Sequence, residues 1–272
     1  MAWLPTLVGA LLVLAVLSPL AWKWQLGITR VALFAVAVSL ACGVLVSWLG
    51  VSSNPWLQGA LVAVVAISAA FVGLAYRFYR DPERDIPDED DVIVSPADGE
   101  IVYVRESVGG ALPVSSKRGT PYTLQELTKT PLEAQEAIVV GIAMNFLDVH
   151  VNRAPVAGRV ALLRHVPGLF GSLRDPQMVF ENERTTTIIT SGGIDVAVVQ
   201  IASRLVRQIS AFVREGDDVA LGQRIGVIRL GSQVDLVLPV VNGLKVLAKP
   251  GEHVTAGASI VARWKPPLEA SG

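Results

Sequence analysis

Cysteine is almost missing from this chain. Cys42 is the only one among 272 residues, which excludes an intrachain disulfide and any cysteine-ligated metal cluster. Histidine is nearly as scarce, with only His150, His165 and His253, so a histidine-rich metal site is not expected and no metal is assigned. Basic residues form no block: 23 Lys plus Arg stand against 24 Asp plus Glu, for a net charge of −1. Nucleic-acid binding therefore has little support. Met1 to Pro5 also lacks the basic segment that opens a secretory signal peptide.

Apolar residues, by contrast, are abundant. They make up 51% of the chain, and the mean hydropathy of +0.50 is too high for an ordinary soluble protein. The excess is at the front, in three uncharged runs, Leu4 to Ala21, Val31 to Leu49 and Leu57 to Tyr76. Each approaches the roughly 20 residues a helix needs to cross a bilayer. Residues 1–80 thus read as a membrane anchor of two or three helices. Lys23 and Arg30 follow the first run, and Arg77 and Arg80 follow the third. With three spans both basic groups lie on one side, which favours a cytoplasmic face for everything from Asp81 onward. Trp3, Trp22, Trp24, Trp48 and Trp56 sit at run ends, where interfacial aromatics collect.

After Arg80 the chain turns acidic and proline-punctuated from Asp81 to Asp91, as a solvated linker or rim strand would. From Val92 to Trp264 short β-forming runs alternate with Gly, Pro and Asp turns, the pattern of an all-β sandwich or barrel. Ser107 to Glu136 reads as a loop excursion with a short helix at Leu124 to Leu127. One phrase repeats: Val213-x-x-Gly216-Asp217-x-Val219-x-x-Gly222 recurs as Ala248-x-x-Gly251-Glu252-x-Val254-x-x-Gly257. A second phrase, Pro96 to Ile101, recurs as Pro155 to Val160. Together they resemble the halves of biotinyl- and lipoyl-carrier domains and predict a duplicated barrel-sandwich hybrid. No modifiable lysine sits at a hairpin tip, which argues against a swinging-arm carrier.

Gly231-Ser232 falls between the apolar run Ile225 to Ile228 and the alternating Val234, Leu236, Leu238. Ser232 is therefore expected where two strand-forming segments meet. Alone, Gly-Ser marks a turn. Asp98 before Gly99 is likewise an ordinary turn residue, and a lone histidine such as His150 is usually structural.

Five motifs change that weighting. Phe78-Tyr79-Arg80-Asp81-Pro82-Glu83-Arg84, Ser95-Pro96-Ala97-Asp98-Gly99, Asn145 to Pro155, Glu181-Asn182-Glu183-Arg184 and Leu230-Gly231-Ser232 occur in an order that resembles the phosphatidylserine decarboxylase family, in its short prokaryotic form. The resemblance covers nearly all of Arg77 to Trp264. It implies a proenzyme that cuts itself between Gly231 and Ser232, leaving a β chain of residues 1–231 and an α chain of residues 232–272. Ser232 would become a covalent pyruvoyl group, the only cofactor implied. The expected activity is decarboxylation of phosphatidylserine to phosphatidylethanolamine through a Schiff base, at the cell (inner) membrane. His150 is implied as the base and Asp98 as the group that orients it, in the manner of a Ser-His-Asp triad.

Arg153, Arg174 and Arg184 are the candidates for the substrate phosphate. Leu169, Phe170 and Leu173, around a second Gly171-Ser172, are expected in a loop that dips toward lipid. The sequence departs from the family in two places. Longer members carry a histidine where this chain has Leu147, which leaves the later proton donor open, with His150 reused as one answer. The usual Gly-Ser-Thr or Gly-Ser-Ser ending is Gly231-Ser232-Gln233 here. Two alternatives stand: a decarboxylase of another serine phospholipid, of the archaetidylserine type, and a non-enzymatic membrane-fusion adaptor with lipoyl-like repeats. Homo-oligomerisation is left open.

Overall fold

The computed structural model describes residues 4–23, 28–50, 54–115, 121–130, 136–169, 171–173, 175–203, 208–229 and 232–265. Phe170, Arg174 and Gly231 lie outside the described residues, and Ser232 is described by its backbone. The chain forms two compact units, Met1–Arg80 with Asn145–Leu147, and Asp81–Met144 with Asp148–Gly272.

The first unit holds three helices, α1 (Leu4–Lys23), α2 (Ile28–Leu49) and α3 (Pro55–Tyr79). All three are long and apolar enough to span a membrane. Their outer faces stay apolar: Leu33, Val44, Trp48 and Val72 are each at least 69% exposed, as lipid-facing side chains must be. Inside, small residues bring the helices close, with Gly59 against Val8 and Gly9 against Val62. Asn54 caps α3, its Oδ1 accepting from Trp56 N at 2.9 Å, and Pro55 follows at the first helical position. The short segment 145–147 joins this unit through the Phe78 and Phe146 rings, 5.4 Å apart. Arg80 Nη2 also donates to the Leu147 carbonyl at 3.3 Å.

The second unit is mainly β. In order it contains β1 (Val92–Val94), β2 (Gly99–Glu106), β3 (Ala111–Ser115), β4 (Pro121–Thr123), α4 (Leu124–Thr128), β5 (Ala137–Met144), β6 (Val151–Arg153) and β7 (Gly158–Val166). Then come α5 (Met178–Glu181), β8 (Arg184–Ser191), β9 (Ile194–Ala202), β10 (Ile209–Ala211), β11 (Asp218–Val219), β12 (Arg224–Ile228), β13 (Ser232–Pro239), β14 (Lys245–Val246), β15 (His253–Val254) and β16 (Ile260–Arg263). The largest sheet is curled and antiparallel, in the order β11-β7-β8-β9-β13-β5-β2-β15. Alternate residues of its strands, among them Ile101, Ile142, Val198, Val234 and Leu236, fill one continuous core. The short helix expected at Leu124 to Leu127 is α4, and the stretch before it, expected as loop, pairs β3 with β4. A capping box between Thr123 and Glu126 fixes the start of that helix.

The repeated phrases make matching bonds. Gly251 N donates to Ile101 O and Gly216 N to Val160 O, both at 2.8 Å; Gly257 N bonds Ser95 O at 2.8 Å as Gly222 N bonds Ala154 O at 2.9 Å. The first phrase crosses to the second through Val94 N to Pro155 O and Arg153 N to Pro96 O, each 2.9 Å. Glycine is required at both turns. A Cβ on Gly99, whose φ is +150°, would strike the Ala143 carbonyl, and one on Gly158 would strike that of Thr190.

The acidic segment after Arg80 departs from the solvated linker expected of it. Asp81 pairs with Arg153 at 3.4 Å and with Arg224, Glu83 pairs with Arg224 at 2.8 Å, and Arg263 holds both Glu89 and Asp91. These pairs tie the segment to β6, β12 and β16.

Candidate active site

Ser232 opens β13, the strand at the middle of the large sheet. Its backbone faces Met144 of β5 on one side and Ala202 of β9 on the other. From Ser232 to Val237 β13 is paired on both sides, Leu238 and Pro239 pair with β5 alone, and Val234, Leu236, Val237 and Leu238 are fully buried. The residue on the far side of the expected cut, Gly231, lies outside the described residues.

His150 reaches the same end of the sheet by two routes. β5 ends at Met144, opposite Ser232, and the chain continues directly into Asn145 to His150. In addition Ile228 N, at the end of β12 and four residues before Ser232, donates to His150 O at 3.1 Å. The imidazole is buried, with Nδ1 2.8 Å from the carbonyl oxygen of Asp148. Burial pushes its pKa below the usual histidine range, while the Asp148 carbonyl and the charges of Asp148 and Asp98 act in the opposite direction. The neutral ring, a proton acceptor, is therefore the resting form at neutral pH. A carbonyl at Nδ1 fixes the tautomer with the proton on Nδ1 and the lone pair on Nε2.

Asp98 is buried in the turn between β1 and β2. Its carboxylate accepts from Ala256 N at 2.8 Å, from Val149 N at 3.4 Å, and from Arg84 Nη2 at 2.9 and 2.8 Å. It thus grips the residue next to His150 and acts on the ring through the backbone and through its charge. The repeat offers an internal control. In the second copy of the turn the position of Asp98 is Ala157, and that turn forms all the same. The fold does not need an aspartate there, which raises the weight of a chemical role for Asp98.

The arginines divide. Arg184 is buried, donating from Nη1 to Leu127 O at 2.7 Å and from Nη2 and Nε to Asn182 O at 3.0 and 3.2 Å. Burial lowers its pKa to about 10, but the ion remains charged. Its donors are occupied by the end of α4 and the α5–β8 turn, which gives Arg184 a structural partner set. Arg153 is also buried, donating to Gly222 O at 2.9 Å and Pro82 O at 3.0 Å. Arg174 lies outside the described residues.

Several residues at this end carried no assigned role in the sequence. Arg84, the last residue of the first motif, is the ion partner of Asp98. His253 places Nε2 3.3 Å from Asp148 Oδ1. Behind β13, Tyr103 Oη donates to Asp235 Oδ2 at 2.7 Å, and Gln233 Nε2 lies 2.7 Å from both Asp235 Oδ1 and Tyr103 Oη. Asp235 is fully buried, which raises its pKa to about 6. Its signal in the sequence is an acidic residue inside an otherwise apolar strand.

Fold and site together define a β protein with a buried histidine and a buried, ion-paired aspartate beside the first residue of its central strand, carried on three apolar helices. Comparison with known proteins agrees. The phosphatidylserine decarboxylase family model matches residues 71–262. A phosphatidylserine decarboxylase proenzyme of Xanthobacter autotrophicus is 40% identical over 206 residues, covering 75% of this chain and 80% of the relative. That of Symbiobacterium thermophilum is 37% identical over 76% of this chain and 84% of its own. A Methanothermobacter thermautotrophicus protein, provisionally named an archaetidylserine decarboxylase proenzyme, is 36% identical over 75% and 86%. The chain belongs to the phosphatidylserine decarboxylase family, and the adaptor alternative falls away.

Proposed function

We propose that the chain is a self-processing phospholipid decarboxylase that converts phosphatidylserine to phosphatidylethanolamine and carbon dioxide. The observation that carries this reading is the position of Ser232 at the mouth of the central strand, with His150 tied to Ile228 just upstream. Ser232 Oγ attacks the Gly231 carbonyl as His150 Nε2 takes the hydroxyl proton and passes it to the departing backbone nitrogen of residue 232, so that the peptide C–N bond gives way to an ester. A β-elimination then releases the Gly231 carboxylate, and the dehydroalanine left at 232 takes up water and loses ammonia. Asp98 meanwhile holds the backbone at Val149 and offsets the charge of the imidazolium. Cleavage leaves residue 232 at a new chain end. That end fits a pyruvoyl group, because the next five residues, Gln233 to Val237, are paired to both β5 and β9 and hold the new terminus in place.

A pyruvoyl carbonyl supplies the electron sink that an amino-acid decarboxylation requires. The residues around it bind, orient and protonate. With leucine at 147, His150 is reused as the proton donor, since the bond from Ile228 N to its carbonyl holds it beside the strand that leads to residue 232 and the proton it takes up is the one it can return. Helices α1 to α3 keep the enzyme at the bilayer where its substrate resides, with the decarboxylase unit on the cytoplasmic face as the basic residues flanking the spans suggest. The matching bonds of the repeated phrases favour a duplicated barrel-sandwich hybrid related to the lipoyl and biotinyl domains.

Relatives named for two different serine lipids match at similar identity, so the shared serine phosphate headgroup defines the substrate class. The test is a denaturing gel with mass spectrometry of the purified protein, and carbon dioxide release from phosphatidylserine and from its archaeal ether counterpart. Two fragments are expected, the smaller starting with a blocked residue 232. An ordinary serine amine at that end would refute the pyruvoyl assignment. Ser232→Ala is expected to remain one inactive chain.

A further inference from the structure

The membrane unit contains a cavity of about 440 Å³, within the range of small-molecule pockets. It lies between the last turn of α1, the first turns of α2 and the last turns of α3, so it opens at the end of the bundle where the chain leaves for the decarboxylase unit. Its walls include Leu20, Phe34, Gly73 and Leu74, with Arg77 the only charged residue on them among the described residues. The remaining wall is Leu147. That residue belongs to the one stretch of later sequence, Asn145–Leu147, that packs with the helices. Three residues on is His150, no more than about 11 Å of fully extended chain away.

We propose that this cavity takes one hydrocarbon chain of the serine phospholipid substrate, with Arg77 meeting the phosphate at its mouth. This rests on the decarboxylase reading and adds to it where the lipid is held. Four observations favour a lipid chain as the occupant. The three helices are long and apolar enough to lie in a bilayer, which would put lipid around the cavity. Its lining is apolar except at one end. There Arg77 is exposed and forms no ion pair among the described residues, as a cation awaiting an anionic headgroup would be. Finally, the space is real at the level of single atoms: a Cβ on Gly73 would meet nothing within 4 Å, although Gly73 sits in a helix of a packed bundle.

Leu147 then has a reason to be apolar. Where longer family members place a histidine, this chain places the wall of a lipid-chain site and leaves proton transfer to His150.

The test uses the full chain in mixed micelles, with dioleoyl phosphatidylserine and water-soluble dihexanoyl phosphatidylserine compared side by side. Gly73→Phe, which fills the cavity, is expected to lower the ratio of kcat/KM for the long-chain over the short-chain lipid at least tenfold. Arg77→Gln is expected to raise KM for the long-chain lipid several-fold. A second measurement needs no variant and no turnover. Phosphatidylserine with a photoreactive group midway along one acyl chain is expected to label wild-type peptides containing Leu74 or Leu147. An unchanged ratio in Gly73→Phe together with no labelling of those peptides would overturn the proposal. So would variants whose only effect is to dissociate a dimer, since a second copy would then be the occupant. Absence of carbon dioxide release from either lipid by the wild type would count against the decarboxylase reading, whereas the labelling reports on the cavity alone.

Discussion

One guanidinium nitrogen of Arg84 spans both carboxylate oxygens of Asp98, at 2.9 and 2.8 Å. The same carboxylate holds Val149 N, one residue from His150. The pair sets how much negative charge His150 experiences.

The pH profile of self-cleavage follows from that pair. Asp98 raises the pKa of His150 and burial lowers it, burial being the larger effect. The rate should rise with pH through a midpoint below the ordinary histidine value of about 6.5. Asp98→Asn removes a charge that favours imidazolium and should move the midpoint lower still, with a slower plateau. Arg84→Gln leaves Asp98 less neutralised and should move it higher. Following cleavage by gel from pH 5 to 8 distinguishes them, and shifts in the same direction would contradict this electrostatic account.

The two chains should not separate after cleavage. The 41-residue α chain (272 minus 231) contributes β13 to the middle of the large sheet, β15 to its edge beside β2, and β16 to β1. Burial of Val234, Leu236, Val237 and Leu238 alone is worth roughly 6 to 12 kcal/mol at about 1.5 to 3 kcal/mol each. Native size-exclusion chromatography should recover one species, and a denaturing gel two. Loss of the small chain under native conditions would mean that β13 is not held as described.

Asp235 should make the protein more stable as pH falls from 7 toward 4. In the folded chain this carboxyl takes up its proton near pH 6, in the unfolded chain only near pH 4. Between those values the folded state holds the extra proton, so acidification favours it, by on the order of 3 kcal/mol. His150 opposes this, since its depressed pKa makes the unfolded state the better proton acceptor below pH 6.5. Asp235→Asn should flatten the Asp235 contribution, and urea unfolding at pH 4.5 and 7 reads the difference. Tyr103→Phe removes a donor to the buried carboxylate and should cost about 1 to 3 kcal/mol at pH 7.

Arg184→Met tests whether this arginine serves the fold or the substrate. It leaves the Leu127 and Asn182 carbonyls without their buried donor, and a loss of about 2 to 4 kcal/mol in stability is expected. KM for the lipid should stay within twofold in the protein that does fold. A tenfold rise in KM with an unchanged Tm would return Arg184 to the phosphate.

Much of this molecule is legible in its sequence because the relevant signals are local. Three uncharged apolar runs specify three helices, since only a helix satisfies its own backbone in hydrocarbon. Period-two alternation at Val234, Leu236 and Leu238 located β13, and the order of five motifs identified the family. What stayed hidden depends on residues far apart in the chain. No local pattern states that Ser232 lies opposite both Met144 and Ala202, that Arg84 neutralises Asp98, or that Asp81 and Glu83 pair with Arg224. Nor does any local pattern state that the donors of Arg184, a motif arginine that reads as a ligand-binding cation, meet the carbonyls of Leu127 and Asn182. The sequence by itself determined the family and the three helices long and apolar enough to span a membrane. Tertiary structure alone decided which charges face each other and which are buried, because Coulomb and desolvation energies depend on distance and exposure in the folded chain, and sequence spacing encodes neither.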